Sequence, residues 1–275
     1  IVERDAPVSY RLILTDKSGR RQLTPTYSFD PTFNYTVAPI TDAPAPFTPH
    51  PRTALAEQLV KRIIAETGIR QGYALVVGCV DGRLAYELAR STEMKVVAID
   101  EDRQRVQVLR LALDRAGIYG ARVSVHHGSL EKLPYGDYFA NLIVSERALF
   151  ESELPGSGVE TLRKVRPSGG AAYLLPADGA APIPTRAIDA WLAETDSLPS
   201  ISVERRAGGV VAARGPLPGA GSWTHMYADV ANTASSGDTL IHGSQMQVQW
   251  WGRPGPRPML DRGARNPAPL YANGR

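Results

Sequence analysis

The sequence predicts an α/β domain: a mostly parallel seven-stranded sheet between two helical layers, closed by a C-terminal antiparallel hairpin and flanked by extended arms. Three observations predict it. Short apolar runs rich in β-branched residues alternate with stretches whose apolar residues recur three and four apart, the pattern of parallel strands joined by crossover helices. A glycine-bounded turn, Gly78 to Gly82, follows the first such run, Tyr73 to Val77. Near the end of the pattern, Ile201 to Arg206 and Val210 to Arg214 flank Ala207-Gly208-Gly209, the signature of a hairpin.

The elements follow in order. Residues 1–50 do not read as a domain. Val8 to Leu14 alternates like a strand, and Asp16-Lys17-Ser18-Gly19 is a turn signal before a short return strand. Pro25 to Pro51 is dense in proline and aromatics (Tyr27, Phe29, Phe33, Tyr35, Phe47), which predicts extended chain. It reads as an arm across a ligand pocket or, preferably, as a linker from a preceding domain. Residues 51–68 carry one apolar stripe, Leu55, Leu59, Val60, Ile63 and Ile64, and Gly68 stops the helix. Leu84 and Leu88, with Ala85 and Ala89, give the helix after the glycine turn its sheet-facing side. Lys95 to Ile99 is a second strand, ending on Asp100. Residues 102–116 repeat the unit, with Asp102 as cap, Val106, Leu109 and Leu113 facing the sheet, and Gly117 as stop. Ala121 to His126 and Tyr138 to Ser145 are the third and fourth strands. Val159 to Val165 and the turn Arg166-Pro167-Ser168-Gly169-Gly170 lead into a fifth, Ala171 to Leu175, and Thr185 to Ala193 is a further helix.

A strand, a glycine turn at a helix N-terminus and a carboxylate ending the next strand make a nucleotide-type site. A dinucleotide fold wants G-x-G-x-x-G, which places glycine at position 83, where this chain has Arg83. The glycines here, Gly78 and Gly82, are four apart. That spacing, with Asp100 closing the next strand, resembles class I S-adenosylmethionine (SAM) methyltransferases, a Rossmann-like family whose loop runs acidic-x-G-x-G-x-G. The Pro-Gly-Gly turn and the terminal hairpin extend the resemblance over residues 51–215, and the hairpin separates this fold from the dinucleotide folds. The chain departs from the pattern at Val76, where the family carries an acidic residue, at Val80, which replaces the middle glycine, and at Asn141, where many relatives carry Asp.

The resemblance implies SAM as cofactor. Gly78, Cys79, Asp81 and Gly82 would shape the pocket around its methionine part, Asp100 and Glu101 would serve the ribose and adenine, and Ser129 and Leu130 the adenine. Ser145 and Glu146 would face the methyl acceptor, with Glu146 as the catalytic candidate that orients an acceptor amine or hydroxyl or takes its proton. Glu146 reads equally as the cap of the helix that follows. His126 and His127 invite a metal, but no cluster of Cys or carboxylate stands at ligand spacing, so the reading is strand-end histidine and no metal.

Composition narrows the classes. The chain has 275 residues, 43% of them hydrophobic and 21% charged, as in ordinary globular proteins. Net charge is +3, and residues 53–215 balance 20 Lys/Arg against 20 Asp/Glu. No basic run with interleaved aromatics points to nucleic acid, and no apolar stretch reaches membrane-spanning length. The single cysteine, Cys79, forbids an internal disulfide. The chain opens on Ile1 rather than Met, which predicts a longer parent protein; the compartment is left open.

Residues 216–275 hold eight Gly and seven Pro. Gly221 to Thr233, followed by Gln247-Val248-Gln249-Trp250-Trp251, resembles the opening of a pyrroloquinoline-quinone-type (PQQ-like) β-propeller, which implies a missing propeller or a protein partner for this tail. The sequence thus supports a SAM-dependent methyltransferase domain of a larger protein. The alternative is a module that kept the fold, lost the cofactor and serves as scaffold. A nicotinamide-dependent oxidoreductase is disfavoured by Arg83 and the hairpin.

Overall fold

The computed structural model describes residues 8–24, 27–29, 45–242 and 270–272, with 8–10 and 27–29 as backbone alone. Gln247 to Trp251 and the aromatics Phe33 and Tyr35 lie outside these. The chain divides into two compact units, residues 1–36 with 250–262 and residues 37–249 with 263–275.

In the first unit, strand β1 (Val8–Tyr10) pairs antiparallel with β4 (Tyr27–Phe29), and β2 (Ile13–Thr15) pairs with β3 (Arg21–Leu23). The alternating run over 8–14 is therefore two short strands rather than one. The β2–β3 turn is held by the Asp16 carboxylate, which accepts the Ser18 and Arg20 N–H groups at 2.8 and 2.9 Å, while Gly19 supplies the positive φ.

The second unit is built on a seven-stranded sheet. Helix α1 (Pro51–Thr67) starts with proline in its first turn, where no N–H is needed, and stops at Gly68, whose φ of 67° suits a residue without Cβ. Strand β5 (Tyr73–Val77), helix α2 (Arg83–Ser91), strand β6 (Lys95–Asp100), helix α3 (Arg103–Arg115) and strand β7 (Val123–His127) follow. Then come β8 (Leu142–Val144), α4 (Glu146–Glu151), α5 (Gly158–Arg163), β9 (Gly170–Leu174), α6 (Thr185–Leu192), β10 (Ile201–Arg206) and β11 (Gly209–Arg214). The order across the sheet is β10-β11-β9-β8-β5-β6-β7. β5 is parallel to β6 and β8, whereas β11 lies antiparallel between β9 and β10.

Period-two alternation divides the core. Ala74 and Val76 join Leu59, Leu84, Leu88 and Leu109 on the face covered by α1, α2 and α3. Leu75 and Val77 join Leu162, Ile188 and Trp191 on the face covered by α5 and α6. Leu84 and Leu88 are fully buried, each worth about 1.5–3 kcal/mol of transfer free energy.

The fourth strand is shorter than the expected 138–145. Tyr138 sits at φ 60°, and the Asn141 side-chain oxygen accepts the Tyr73 N–H at 3.0 Å, so this stretch enters the sheet only at Leu142. Among the described residues of 216–242 the chain forms turns and isolated bridges, Trp223 with Tyr271 and His225 with Ala228, and no blade strand. No described helix is long and apolar enough to cross a membrane.

After β5 the chain builds outward to β6 and β7, then returns to the other side of β5 as β8. At such a switch point the loops leaving neighbouring strands part and open a crevice. Here those loops are Gly78 to Gly82, after β5, and Ser145 to Arg147, after β8.

Candidate functional site

The turn after β5 is shaped by two left-handed glycines, Gly78 at φ 73° and Gly82 at φ 80°. Gly78 N–H donates to Ile99 O at 3.0 Å, tying the turn to β6. Val80 is not among the residues at positive φ, so the valine in place of the usual glycine imposes no backbone strain.

Glu146 projects from the first position of α4 into this turn and is fully buried. Its Oε2 accepts the N–H groups of Val80, Asp81 and Gly82 at 2.6, 2.8 and 2.8 Å, and Oε1 accepts that of Leu84 at 2.8 Å. The carboxylate thus satisfies the orphan donors at the N-terminus of α2. Burial pushes the Glu146 carboxyl up from its ordinary value, Asp81 adds to the push, and the loop N–H groups oppose it. Neither sequence role for Glu146 describes this geometry. It caps a helix 62 residues upstream, and the cap of its own helix is Ser145, whose Oγ accepts Ala148 N–H at 3.2 Å. With Oε2 accepting three N–H groups, Oε1 a fourth and no exposed surface, Glu146 is turned to the loop rather than to an acceptor.

Asp100, at the C-terminal end of β6, is also fully buried. Its Oδ1 accepts the Asp102 N–H at 2.9 Å. Arg105 Nη1 reaches both carboxylate oxygens at 3.3–3.4 Å and also donates to Cys79 O at 3.3 Å. Arg147 Nη2 stands 3.5 Å from Oδ2. The stem of Arg147 lies across the glycine turn: a Cβ on Gly78 would come within 3.0 Å of its Cγ and Cδ.

The remaining predicted residues distribute as follows. Cys79 is buried with Sγ 3.5 Å from Glu146 Oε2, and burial, with Glu146 beside it, raises its thiol well above the ordinary value. Asp81 turns its carboxylate outward to Arg52 at 3.3 Å and Arg83 at 3.4 Å. Glu101 Oε1 accepts the Leu130 N–H at 3.2 Å, so the adenine-side donor expected of Leu130 is engaged from within the chain. Ser129 Oγ accepts the Glu131 N–H at 3.1 Å, holding its own turn. Gly78, Cys79, Asp81, Gly82, Asp100 and Glu146 converge; Ser145 serves the helix. Sequence reasoning missed Arg105 and Arg147. The only signal for them was position: Arg105 lies one helical turn beyond the Asp102 cap, and Arg147 follows Glu146 directly.

Two histidines end β7. His126 Nδ1 lies 2.9 Å from Tyr135 Oη, with the rings stacked, and His127 Nε2 lies 3.1 Å from Glu101 O. Burial, with Arg110 nearby, lowers the His126 pKa.

Residues 74–170, about a third of the chain, match the model of a family described as a methyltransferase domain. The match runs from β5 to the first residue of β9. The chain is similar to the solved structure of a SAM-dependent methyltransferase of Methanococcus maripaludis, described as putative in its own report, at 16% identity and TM-score 0.46, covering 60% of this chain and 86% of that one. It is similar to a SAM-dependent methyltransferase of Aquifex aeolicus at 18% identity and TM-score 0.40, covering 58% and 96%. It is similar too to the [4+2]-cyclase SpnF at 17% identity and TM-score 0.42, covering 59% and 82%. No curated protein sequence matches the chain.

SAM meets residues of the right kind here, though not in the posture described. Asp100 is the carboxylate two ribose hydroxyls need, and the turn at Gly78 lacks side chains that would obstruct a nucleoside. Arg147 covers both. Its side chain is a quarter exposed and its contact with Asp100 is long.

Proposed function

We propose that this methyltransferase-fold domain binds SAM and transfers its methyl group to an acceptor held at the mouth between the β5 and β8 loops. The observation that carries the reading is Asp100: a fully buried carboxylate at the end of the strand beside the switch-point loop, with left-handed Gly78 next to it. Bound SAM supplies a methyl group activated by its sulfonium. The chain's own part is positioning. Asp100 accepts from the ribose hydroxyls, and the glycine turn admits the ligand closely. Glu146 is left out of proton transfer because its carboxylate is buried against the loop N–H groups. The acceptor is then deprotonated before it arrives or by solvent.

A second reading is supported by a specific observation. Asp100 is paired to Arg105 and Arg147, and the Leu130 N–H is taken by Glu101. A domain that had lost the cofactor and serves as scaffold would show such internal pairing. Isothermal titration of the folded chain with SAM and with S-adenosylhomocysteine decides between them. Micromolar binding, abolished by Asp100→Ala, supports the methyltransferase. Absence of heat with both ligands from a cooperatively melting protein supports the scaffold.

A further inference from the structure

A loop of backbone N–H groups at a helix N-terminus is the usual seat of a phosphate. In this chain the seat is filled by its own side chain. Four N–H groups, from Val80, Asp81, Gly82 and Leu84, point at Glu146 at 2.6–2.8 Å, and the carboxylate is shut away from water. A phosphate brought to this loop finds these four donors taken and faces a buried negative charge. The cations around the loop are paired elsewhere, Arg105 and Arg147 with Asp100 and Arg52 and Arg83 with Asp81. Glu146 and Asp100 are both buried carboxylates and both act on Cys79 between them, so a ligand that displaces Arg147 from Asp100 leaves this pair of negative groups with one positive charge fewer.

We propose that Glu146 is a specificity-determining residue: it closes the loop to phosphates and restricts the site to a nucleoside ligand that carries no phosphate and brings its own positive charge. This rests on the methyltransferase reading only for the identity of that ligand. The exclusion of phosphates follows from the geometry of the loop alone. In SAM the charge is the sulfonium; S-adenosylhomocysteine has the same shape without it. Glu146 acts on the ligand partly through the loop it holds, so a general loss of stability is not a sufficient readout.

The test is calorimetric titration of the wild-type chain and of Glu146→Ala with three probes, SAM, S-adenosylhomocysteine and ADP, with melting curves to establish folding. The wild type is expected to prefer SAM to S-adenosylhomocysteine and to give no heat with millimolar ADP. Glu146→Ala is expected to gain ADP affinity by about tenfold or more, as charge-assisted N–H donors are freed, and to lose most of its preference for the charged cofactor. Glu146→Gln, neutral and of the same shape, serves if the alanine variant does not fold; its amide still fills the seat, so it is expected to lose the preference for the charged cofactor without gaining ADP. ADP binding by the wild type overturns the proposal. So does a folded variant with unchanged ADP affinity and an unchanged ratio between the two cofactors. If neither protein binds SAM or its demethylated product, the methyltransferase reading falls, while a gain of ADP binding by the variant still upholds the exclusion of phosphate.

Discussion

Arg147 lays its guanidinium 3.5 Å from Asp100 Oδ2 while its stem runs over Gly78, so one side chain covers both the buried carboxylate and the glycine turn of the proposed site. A ligand that takes Asp100 competes with this contact. With the arginine a quarter exposed, the carboxylate buried and the contact long, the pair is worth about 1 kcal/mol or less, a few-fold in affinity. Arg147→Ala should therefore tighten S-adenosylhomocysteine binding roughly two- to fivefold. The gap between variant and wild type should narrow as salt rises and screens the pair. Titrations of both proteins at low and high ionic strength check this; weaker binding by the variant at either would assign Arg147 to the ligand rather than against it.

Val80→Gly separates obstruction from architecture. Val80 has no positive φ, and its N–H donates to Glu146 at 2.6 Å, so the backbone is already where a glycine would place it. The substitution should leave cofactor affinity within about twofold and lower stability by about 0.5–1 kcal/mol, through the greater freedom of the unfolded chain. A large gain in affinity would mean that the valine side chain, rather than the arginine latch, stands in the ligand's way.

The two loops that matter were legible in the sequence to different depths. The strands, the helices and the left-handed glycines could be read because periodicity records burial, and because a turn such as Ala207-Gly208, with φ of 48° and 74°, writes its geometry into local residue choice. Asp100 and Glu146 could be placed at strand ends for the same reason. What Glu146 does could not be read, since its partners lie 62–66 residues earlier and are backbone N–H groups, which every residue but proline carries. Arg105 and Arg147 were missed because an arginine's reach is settled only when the strands are stacked. Asn141 shows the reverse error: taken as a departure at the site, it instead ties β8 to the Tyr73 N–H at the opposite end of β5.

His126 gives the fold a pH dependence with a definite sign. Burial, with Arg110 beside it, holds its folded pKa below the ordinary 6.5. As pH falls through 6.5 the unfolded chain takes up a proton that the folded chain refuses, so stability declines until the folded pKa is passed and then levels. His126→Phe keeps the ring stack on Tyr135 but leaves the tyrosine hydroxyl without this partner, at about 1–3 kcal/mol if it stays dry. The variant should be less stable than wild type at pH 8, and the difference should shrink toward pH 5. Urea unfolding across that range measures it; a constant difference would place the titration elsewhere.

Arg214 carries the last prediction, on the hairpin that sets the sheet's antiparallel edge. It is 1% exposed, yet it is a full cation with no carboxylate on its guanidinium. Nε donates to Val165 O at 2.8 Å, Nη2 to Leu162 O at 2.9 Å and Nη1 to Pro199 O, and the group stacks over the Tyr138 ring at 5.2 Å. These carbonyls belong to the end of α5 and to the segment before β10, so one side chain fastens both to β11. Burial lowers the Arg214 pKa, but an arginine has several units in hand before it loses its charge at neutral pH. Arg214→Leu fills the space and strands three buried carbonyls at about 1–3 kcal/mol each, partly relieved where water enters. The expected loss is about 3 kcal/mol or more, a fall of roughly 6–12 °C in melting temperature for a domain of this size. Arg214→Lys reaches one carbonyl where arginine reaches three, and should fall between wild type and the leucine variant. Melting curves rank the three. Equal stability of the lysine and leucine variants would mean that the planar fork, rather than the positive charge, is what holds the hairpin.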